Sequence, residues 1–254
     1  MTPYSVVIIT KNEAHDLPRC LDSLAGCDDV VVVDSGSTDG TADICTGRQG
    51  VRFMHRDFDG YGPQKRYAVA QARHDWVLNI DADEVLTPEL SGELAELSRR
   101  DFPGAMGYQV PRSLVFMGRH FRHGRESAHY LLRLFDRRSG NFDEAPVHEK
   151  VVVEGPVHRL SGRLLHYSYR DLDEYFEKFN QYTRLSAAKM VAKGRRISAW
   201  QVALRQPVTF LQFYLFQGNW RNGFPGFVWA WLGSTYHAVK YLKAKELARK
   251  GDSG

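Results

Sequence analysis

The chain has 254 residues, 43% hydrophobic and 25% charged, an ordinary soluble globular composition with room for one domain and an appendage. The three cysteines (Cys20, Cys27, Cys45) form no Cys-x-x-Cys pair and are odd in number, and they read as unpaired thiols in a reducing compartment. The net charge of +4 hides a division: residues 1–100 carry 10 Lys and Arg against 17 Asp and Glu, and residues 101–254 carry 24 against 13.

The basic second part is expected to meet something anionic: nucleic acid, phospholipid headgroups or a phosphorylated substrate. Met1-Thr2-Pro3-Tyr4 lacks the charged and apolar segments of a signal peptide, and no stretch approaches the roughly 20 apolar residues of a spanning helix. The expectation is a cytoplasmic chain.

The first hundred residues alternate strand and helix patterns. Residues 5–10 (SVVIIT) form a β-branched run, and residues 13–25 space Leu17, Leu21 and Leu24 as a helix does. Residues 29–33 (DVVVV) predict a second buried strand. The polar turn Asp34-Ser35-Gly36-Ser37-Thr38-Asp39-Gly40-Thr41 follows, with Ser37 or Thr38 as N-cap of the next helix. Residues 51–55 predict a third strand, 64–73 a helix and 76–80 a fourth strand. Apolar strands separated by helices imply a parallel sheet covered on both faces, with ligands bound outside the carboxyl ends of its strands. Three polar loops fall at those ends: Thr10-Lys11-Asn12-Glu13, Asp34–Thr41 and Asp81-Ala82-Asp83-Glu84.

Asp81 and Asp83 stand two residues apart. In an extended strand residues i and i+2 point to the same side, so both carboxylates are expected to aim into one spot just past the strand end, where hard oxygen ligands suit Mg²⁺ or Mn²⁺ and those metals commonly serve phosphates. An acidic turn after a strand is the alternative reading. After Pro103 the pattern changes: residues 107–111, 113–117, 130–136 and 164–168 read as strands. Residues 171–192, 199–217 (with Pro207 breaking or kinking it) and 227–249 read as helices.

Thr10-Lys11-Asn12-Glu13, the Asp34–Thr41 run, the Lys65-Arg66 pair and Asp81-Ala82-Asp83-Glu84 occur in the order seen in family 2 glycosyltransferases. Downstream, Arg133-Leu134-Phe135-Asp136, Pro146-Val147-His148-Glu149 and Leu165-His166-Tyr167-Ser168-Tyr169 match the acceptor half. The whole chain resembles the bacterial branch that adds glucose or a similar sugar to the lipopolysaccharide inner core.

The resemblance implies a glycosyltransferase A-type fold, a mostly parallel sheet flanked by helices. Residues 1–170 would be catalytic, with 1–100 for the nucleotide sugar and 101–170 for the acceptor, and 171–254 a helical, aromatic-rich basic extension. It implies an inverting transfer of a hexose, glucose first, from a UDP-sugar to a glycolipid or lipopolysaccharide-core hydroxyl, with Mg²⁺ or Mn²⁺.

By the same resemblance Thr10, Asn12, Glu13, Asp34, the Ser35-Gly36 step, Lys65, Arg66 and Asp81 would serve the nucleotide sugar. Asp83, with Asp81 as second candidate, would hold the metal. Glu149 would be the general base, with His148 as runner-up or orienting group and Asp143 and Glu144 as nearby competitors. Arg119, His120, Arg122 and His123 could hold phosphate groups of the acceptor, or be a solvated loop. His166 could reach the metal or be structural. Ser35 departs from the second aspartate many members carry there, which leaves the uracil contact open.

The aromatic residues between Trp200 and Tyr241, interleaved with cations, suit a helix lying in a membrane interface at the cytoplasmic face; an aromatic core or dimer interface is the alternative. Two rival functions remain. A sugar nucleotidyltransferase would open with a longer glycine-rich loop, and a nucleic-acid or lipid-binding module would leave the acidic strand ends unexplained. The absence of Gly-x-Gly-x-x-Gly after the first strand speaks against a dehydrogenase. No nucleic-acid partner is expected.

Overall fold

The computed structural model describes residues 1–144, 149–195 and 197–251. In chain order the strands are β1 (Tyr4–Thr10), β2 (Val30–Asp34), β3 (Val51–His55), β4 (Trp76–Asp81), β5 (Glu84–Leu86), β6 (Gly107–Phe116), β7 (Arg119–His120), β8 (His129–Asp136), β9 (Gly140–Phe142), β10 (Val151–Val153), β11 (Val157–Arg159) and β12 (Leu164–His166). The helices are α1 (Leu17–Asp22), α2 (Thr41–Cys45), α3 (Tyr61–Ala70), α4 (Pro88–Arg99), α5 (Leu172–Ala192), α6 (Ala199–Leu211) and α7 (Phe224–Gly251). Two compact units result: residues 1–113 with 128–167, and residues 114–127 with 168–254.

The first unit is built on a sheet in the order β3-β2-β1-β4-β8-β6-β12-β5. β3, β2, β1 and β4 run parallel, whereas β8 pairs antiparallel with both β4 and β6, so the sheet is mixed rather than parallel throughout. Buried strands alternate their side chains across the sheet. Val6 and Ile8 of β1 join Val30, Val32, Leu78 and Ile80 in one core layer with Leu17 and Leu21 of α1 and Leu90 and Leu94 of α4. Val7 faces the opposite layer with Val31, Val33 and Val77, covered by Ala68 and Val69 of α3. These continuous apolar strands are what a sheet packed on both faces requires.

Four local differences from the sequence expectations have physical causes. Residues 107–111 and 113–117 form one strand, β6, because Pro111 sits opposite Tyr130 in the ladder without ending it. The N-cap of α2 is Gly40, at φ 85°, because the Ser37 and Thr38 groups are engaged elsewhere. Pro207 lies inside α6, which continues to Leu211 and passes into a π-turn over Gln212–Phe216. The expectations from sequence leave out α4, although Leu90, Leu94 and Leu97 repeat at helical spacing; Thr87 caps it by accepting the Leu90 N–H at 3.3 Å, and Pro88 fills the first turn.

The second unit gathers α5, α6 and α7 with the hairpin at residues 114–127, a segment that a linear division at residue 170 assigns to the first part. Asp171 caps α5 by accepting the Glu174 N–H at 2.8 Å, and Ser198 caps α6 in a capping box with Gln201. Phe116, Phe121, Tyr175 and Leu232 form its core. Gly226 is required there: a Cβ would lie 2.0 Å from the Asn219 carbonyl oxygen, so only glycine lets the 3₁₀ turn Asn219–Asn222 close onto α7. Among the described residues no helix is long and apolar enough to cross a membrane.

Candidate active site

The strand order reverses beside β1: β2 and β3 lie to one side and β4 to the other. Such a switch point opens a crevice outside the carboxyl ends of the strands. Register aligns three of those ends, with Thr10 opposite Asp34 and Ile9 opposite Asp81. The Thr10 hydroxyl is buried there and has no hydrogen-bond partner among the described residues.

The first two loops are stitched together. Asn12 takes the left-handed conformation at φ 56°, which asparagine tolerates better than most residues. Its N–H donates to Ser37 Oγ at 2.7 Å and its Oδ1 accepts the Thr38 N–H at 2.8 Å. The Glu13 N–H donates to Thr41 Oγ1 at 2.9 Å. Asp34 accepts the N–H groups of Gly36 and Ser37 at 2.9 and 2.8 Å, together with the Ser37 hydroxyl. Ser35 accepts from Gln64 Nε2 at 3.1 Å. Asn12 and Asp34 therefore shape the loops through their own hydrogen bonds.

The third loop differs from the sequence expectation. β4 ends at Asp81 and a turn follows, so strand alternation does not set the directions of Asp81 and Asp83. Glu84 closes the turn: it is fully buried and its Oε2 accepts the Asp81 N–H at 3.0 Å. Arg133 on β8 reaches Asn79 Oδ1 at 3.0 Å, Asp81 Oδ2 at 2.8 Å and Glu84 Oε1 at 2.6 Å. Burial alone would raise the Asp81 carboxyl, but Arg133, then Lys65, hold it well below the usual carboxylate range. Burial, helped by the negative Asp81, raises Glu84 against the pull of Arg133.

Sequence reasoning quoted Arg133 only within a motif and missed it as a site residue. Its signal is a lone cation in the apolar run Tyr130-Leu131-Leu132-Arg133-Leu134-Phe135. Asn79 carries the same signal in β4.

Lys65 is buried rather than solvated, and its Nζ lies 2.7 Å from Glu149 Oε1 and 3.8 Å from Asp81 Oδ1. One ammonium thus ties a distant carboxylate to the end of β4. Arg66 donates to the Asp143 carbonyl oxygen at 2.7 Å, which anchors the segment after β9. His148 lies outside the described residues.

Asp83 pairs with His166, Nε2 to Oδ2 at 3.1 Å, and its carbonyl oxygen accepts the Tyr167 N–H at 3.0 Å. Among the described residues no group of three or more His, Cys, Asp or Glu side chains is arranged to hold a metal ion. A carboxylate and an imidazole side by side are two donors; the oxygen suits Mn²⁺ or Mg²⁺, and the imidazole fits Mn²⁺ better than the harder Mg²⁺.

In the second unit Arg119, His120 and Arg122 line a recess of about 320 Å³. The Arg122 and His123 N–H groups both donate to Asn222 Oδ1 at 3.2 Å, which anchors the hairpin on the Asn219–Asn222 turn.

Comparison with known proteins agrees with this geometry. The model of the family described as glycosyl transferase family 2 matches residues 5–151. The chain is 36% identical over 92% of its length, and 88% of the relative's, to the lipopolysaccharide core biosynthesis glycosyltransferase LpsC of Rhizobium meliloti (strain 1021). It is 28% identical over 98% of its length, and 89% of the relative's, to the uncharacterized glycosyltransferase RT0209 of Rickettsia typhi (strain ATCC VR-144 / Wilmington). In fold it is similar to S. aureus TarS 1-349 in complex with UDP-GlcNAc, with TM-score 0.50, 16% identity and coverage of 98% of this chain and 92% of that one. A parallel half-sheet with polar loops at its carboxyl edge, a family match over more than half the residues and a full-length relative converge: the chain belongs to glycosyl transferase family 2.

Proposed function

We propose that the protein transfers a hexose, glucose first, from a UDP-sugar to a hydroxyl of a lipopolysaccharide core or similar glycolipid, inverting the anomeric carbon. The observation that carries this reading is the convergence at one sheet edge of Thr10, the Asn12–Ser37 stitch, and the Asp81–Glu84 turn, with Lys65 bridging Asp81 to Glu149. A nucleotide can meet Thr10 and the loop after β2, while its diphosphate meets Lys65 beside Asp81. UDP as carrier is supported by the UDP-GlcNAc complex of the similarly folded TarS. The glycolipid acceptor is supported by the likeness to LpsC.

Asp83, with His166 beside it, would hold Mg²⁺ or Mn²⁺; Asp81 is the weaker candidate because two cations already engage its carboxylate. When bound, the metal supplies charge neutralisation for the departing diphosphate. Lys65 sits to supply part of the same neutralisation from the protein, and a diphosphate that attracts it loosens its hold on Glu149.

Glu149 is the proposed general base. Its side chain is 10% exposed and oriented by Lys65, and proton removal by a positioned base is typically worth about 10²–10⁴-fold. One base and one displacement give inversion, so an α-linked donor yields a β-linked product. Arg119, His120, Arg122 and His123 are the proposed contacts for acceptor phosphate.

Calorimetric titration of UDP and UDP-glucose into the whole chain, with and without Mn²⁺, tests the donor assignment. Binding that Mn²⁺ strengthens and Asp83→Ala weakens is expected; equal indifference of wild type and variant to UDP at millimolar concentration refutes it.

A further inference from the structure

The second unit has an unusual outer face. Of the 23 large apolar side chains that the described structure leaves exposed, ten fall between residues 200 and 231. Five of them, Trp200, Leu204, Val208, Leu211 and Leu215, repeat at helical spacing along α6 and the π-turn, so they form one stripe. The opposite side of α6 is the packed one, where Gln206 donates to Thr235 Oγ1 on α7 at 3.1 Å and Phe213 meets His237. The stripe is therefore a second apolar face on a helix that has already spent one on the core.

The stripe continues into the connection to α7. Phe216 is 86% exposed, and Trp220 and Phe224 are 55% and 67% exposed. Ring contacts join α6 to α7 beneath it, Phe210 to Phe227 at 5.7 Å and Tyr214 to Phe227 at 5.8 Å. Exposed apolar area of this extent marks an interaction surface.

Charge identifies the partner. This unit carries seventeen Lys and Arg against seven Asp and Glu, and residues 199–251 carry seven against one. Arg119 and Arg122 are exposed on a hairpin that the buried Asn222 fastens to the aromatic turn. Asn222 binds the hairpin backbone on both sides, accepting from the Arg122 and His123 N–H groups and donating to the His123 carbonyl at 2.9 Å. Asn219 donates to the Phe213 carbonyl at 3.0 Å. The cations and the aromatic rings are thus held as one piece. A second copy of this chain would bring the same positive charge to the contact, which opposes self-association. An anionic bilayer offers phosphate for the arginines and an acyl boundary for the rings.

We propose that the α6 stripe, the Phe216–Phe224 turn and the arginine hairpin together dock the protein on an anionic lipid bilayer, in the plane of the interface. The apolar side chains enter the headgroup–acyl boundary and the arginines meet lipid phosphates. This goes beyond the transfer reaction: Arg119 and Arg122 are shared with the acceptor-phosphate contact proposed above, whereas the α6 stripe and the Phe216–Phe224 turn have no part in it.

The test is co-sedimentation of the whole chain with vesicles of phosphatidylcholine alone and of phosphatidylcholine with phosphatidylglycerol. Tryptophan emission reports insertion of Trp200 and Trp220. Wild type is expected to bind the anionic vesicles in a salt-sensitive way, with a blue-shifted emission, and to ignore the neutral ones. Leu204→Glu/Val208→Glu should abolish binding while leaving the melting temperature and UDP binding unchanged, because both side chains already face solvent. Arg119→Gln/Arg122→Gln should weaken binding by about fivefold per arginine. Wild type left in the supernatant with anionic vesicles overturns the proposal, as does a stripe variant that binds like wild type. So does a lipid-free dimer that Leu204→Glu/Val208→Glu dissolves while vesicles capture neither form.

Discussion

Replacing Arg133 by methionine should destabilise the first unit far more than an ordinary surface change. Arg133 Nη1 and Nη2 together satisfy Asn79, Asp81 and Glu84 at 2.6–3.0 Å, and Glu84 has no exposure to water. Methionine fills much of the volume but leaves two carboxylates without their main counter-charge. Removing one partner of a buried ion pair typically costs about 3–5 kcal/mol. At about 2–4 °C per kcal/mol for a chain of this size, the melting temperature should fall by about 6–20 °C.

A double-mutant cycle isolates the cause. Glu84→Gln keeps an acceptor for the Asp81 N–H while removing the charge, so Arg133→Met/Glu84→Gln should be less destabilised than the sum of the single changes, by about 0.5–3 kcal/mol. Urea unfolding of the four proteins, followed by circular dichroism, measures it. A loss below about 1 kcal/mol for Arg133→Met, within reach of ordinary surface changes, or strict additivity in the cycle would refute the idea that this arginine holds the acidic turn together.

Three further outcomes are expected. Asp83→Asn should remove the Mn²⁺-dependent part of the thermal shift given by UDP; a Mn²⁺-dependent shift equal to that of the wild type would contradict the assignment. Glu149→Gln should retain UDP binding and lose about 10²–10⁴-fold in turnover; near-wild-type rates would place the base elsewhere. Burial, then the charges of Lys240 and Arg205, push the His237 imidazole down to about 4, so the unfolded chain binds its proton first as pH falls. Its contribution is intact above the unfolded value of about 6.5 and is lost between there and about 4. His237→Phe should flatten that part of the stability–pH curve; an unchanged slope would contradict the assignment.

Much of the fold was legible because its parallel half follows simple rules. The four valines from Val30 to Val33 are apolar without interruption, and only a strand covered on both sides tolerates that. The three site loops were legible for the same reason, since the carboxyl edge of such a sheet is where polar loops collect. The details of the site were hidden where a residue's role depends on a partner far away in sequence. Arg66 and Lys65 are neighbours, yet one anchors the backbone after β9 and the other joins Asp81 to Glu149, 84 residues on. Glu84 looks like one more acid after Asp81 and Asp83, and only its burial opposite Arg133 shows that it holds the turn closed. Helix boundaries slipped too: α1 covers only Leu17–Asp22 and α3 begins at Tyr61, while those at Gly40 and Leu211 moved because the expected capping groups serve another loop or because a π-turn extends the pattern.

Acceptor-dependent nucleotide release tests the central claim most directly. Purified protein, UDP-glucose and Mn²⁺ are incubated with core-truncated lipopolysaccharide, and the released phosphorus species are resolved by ³¹P NMR. The account predicts UDP, released only when acceptor is present, with a β-linked glycosyl product and no UDP from the Glu149→Gln enzyme on the same timescale. Glucose 1-phosphate in place of UDP, the product of uridylyl rather than glucosyl transfer, or retention of the α configuration, would contradict it.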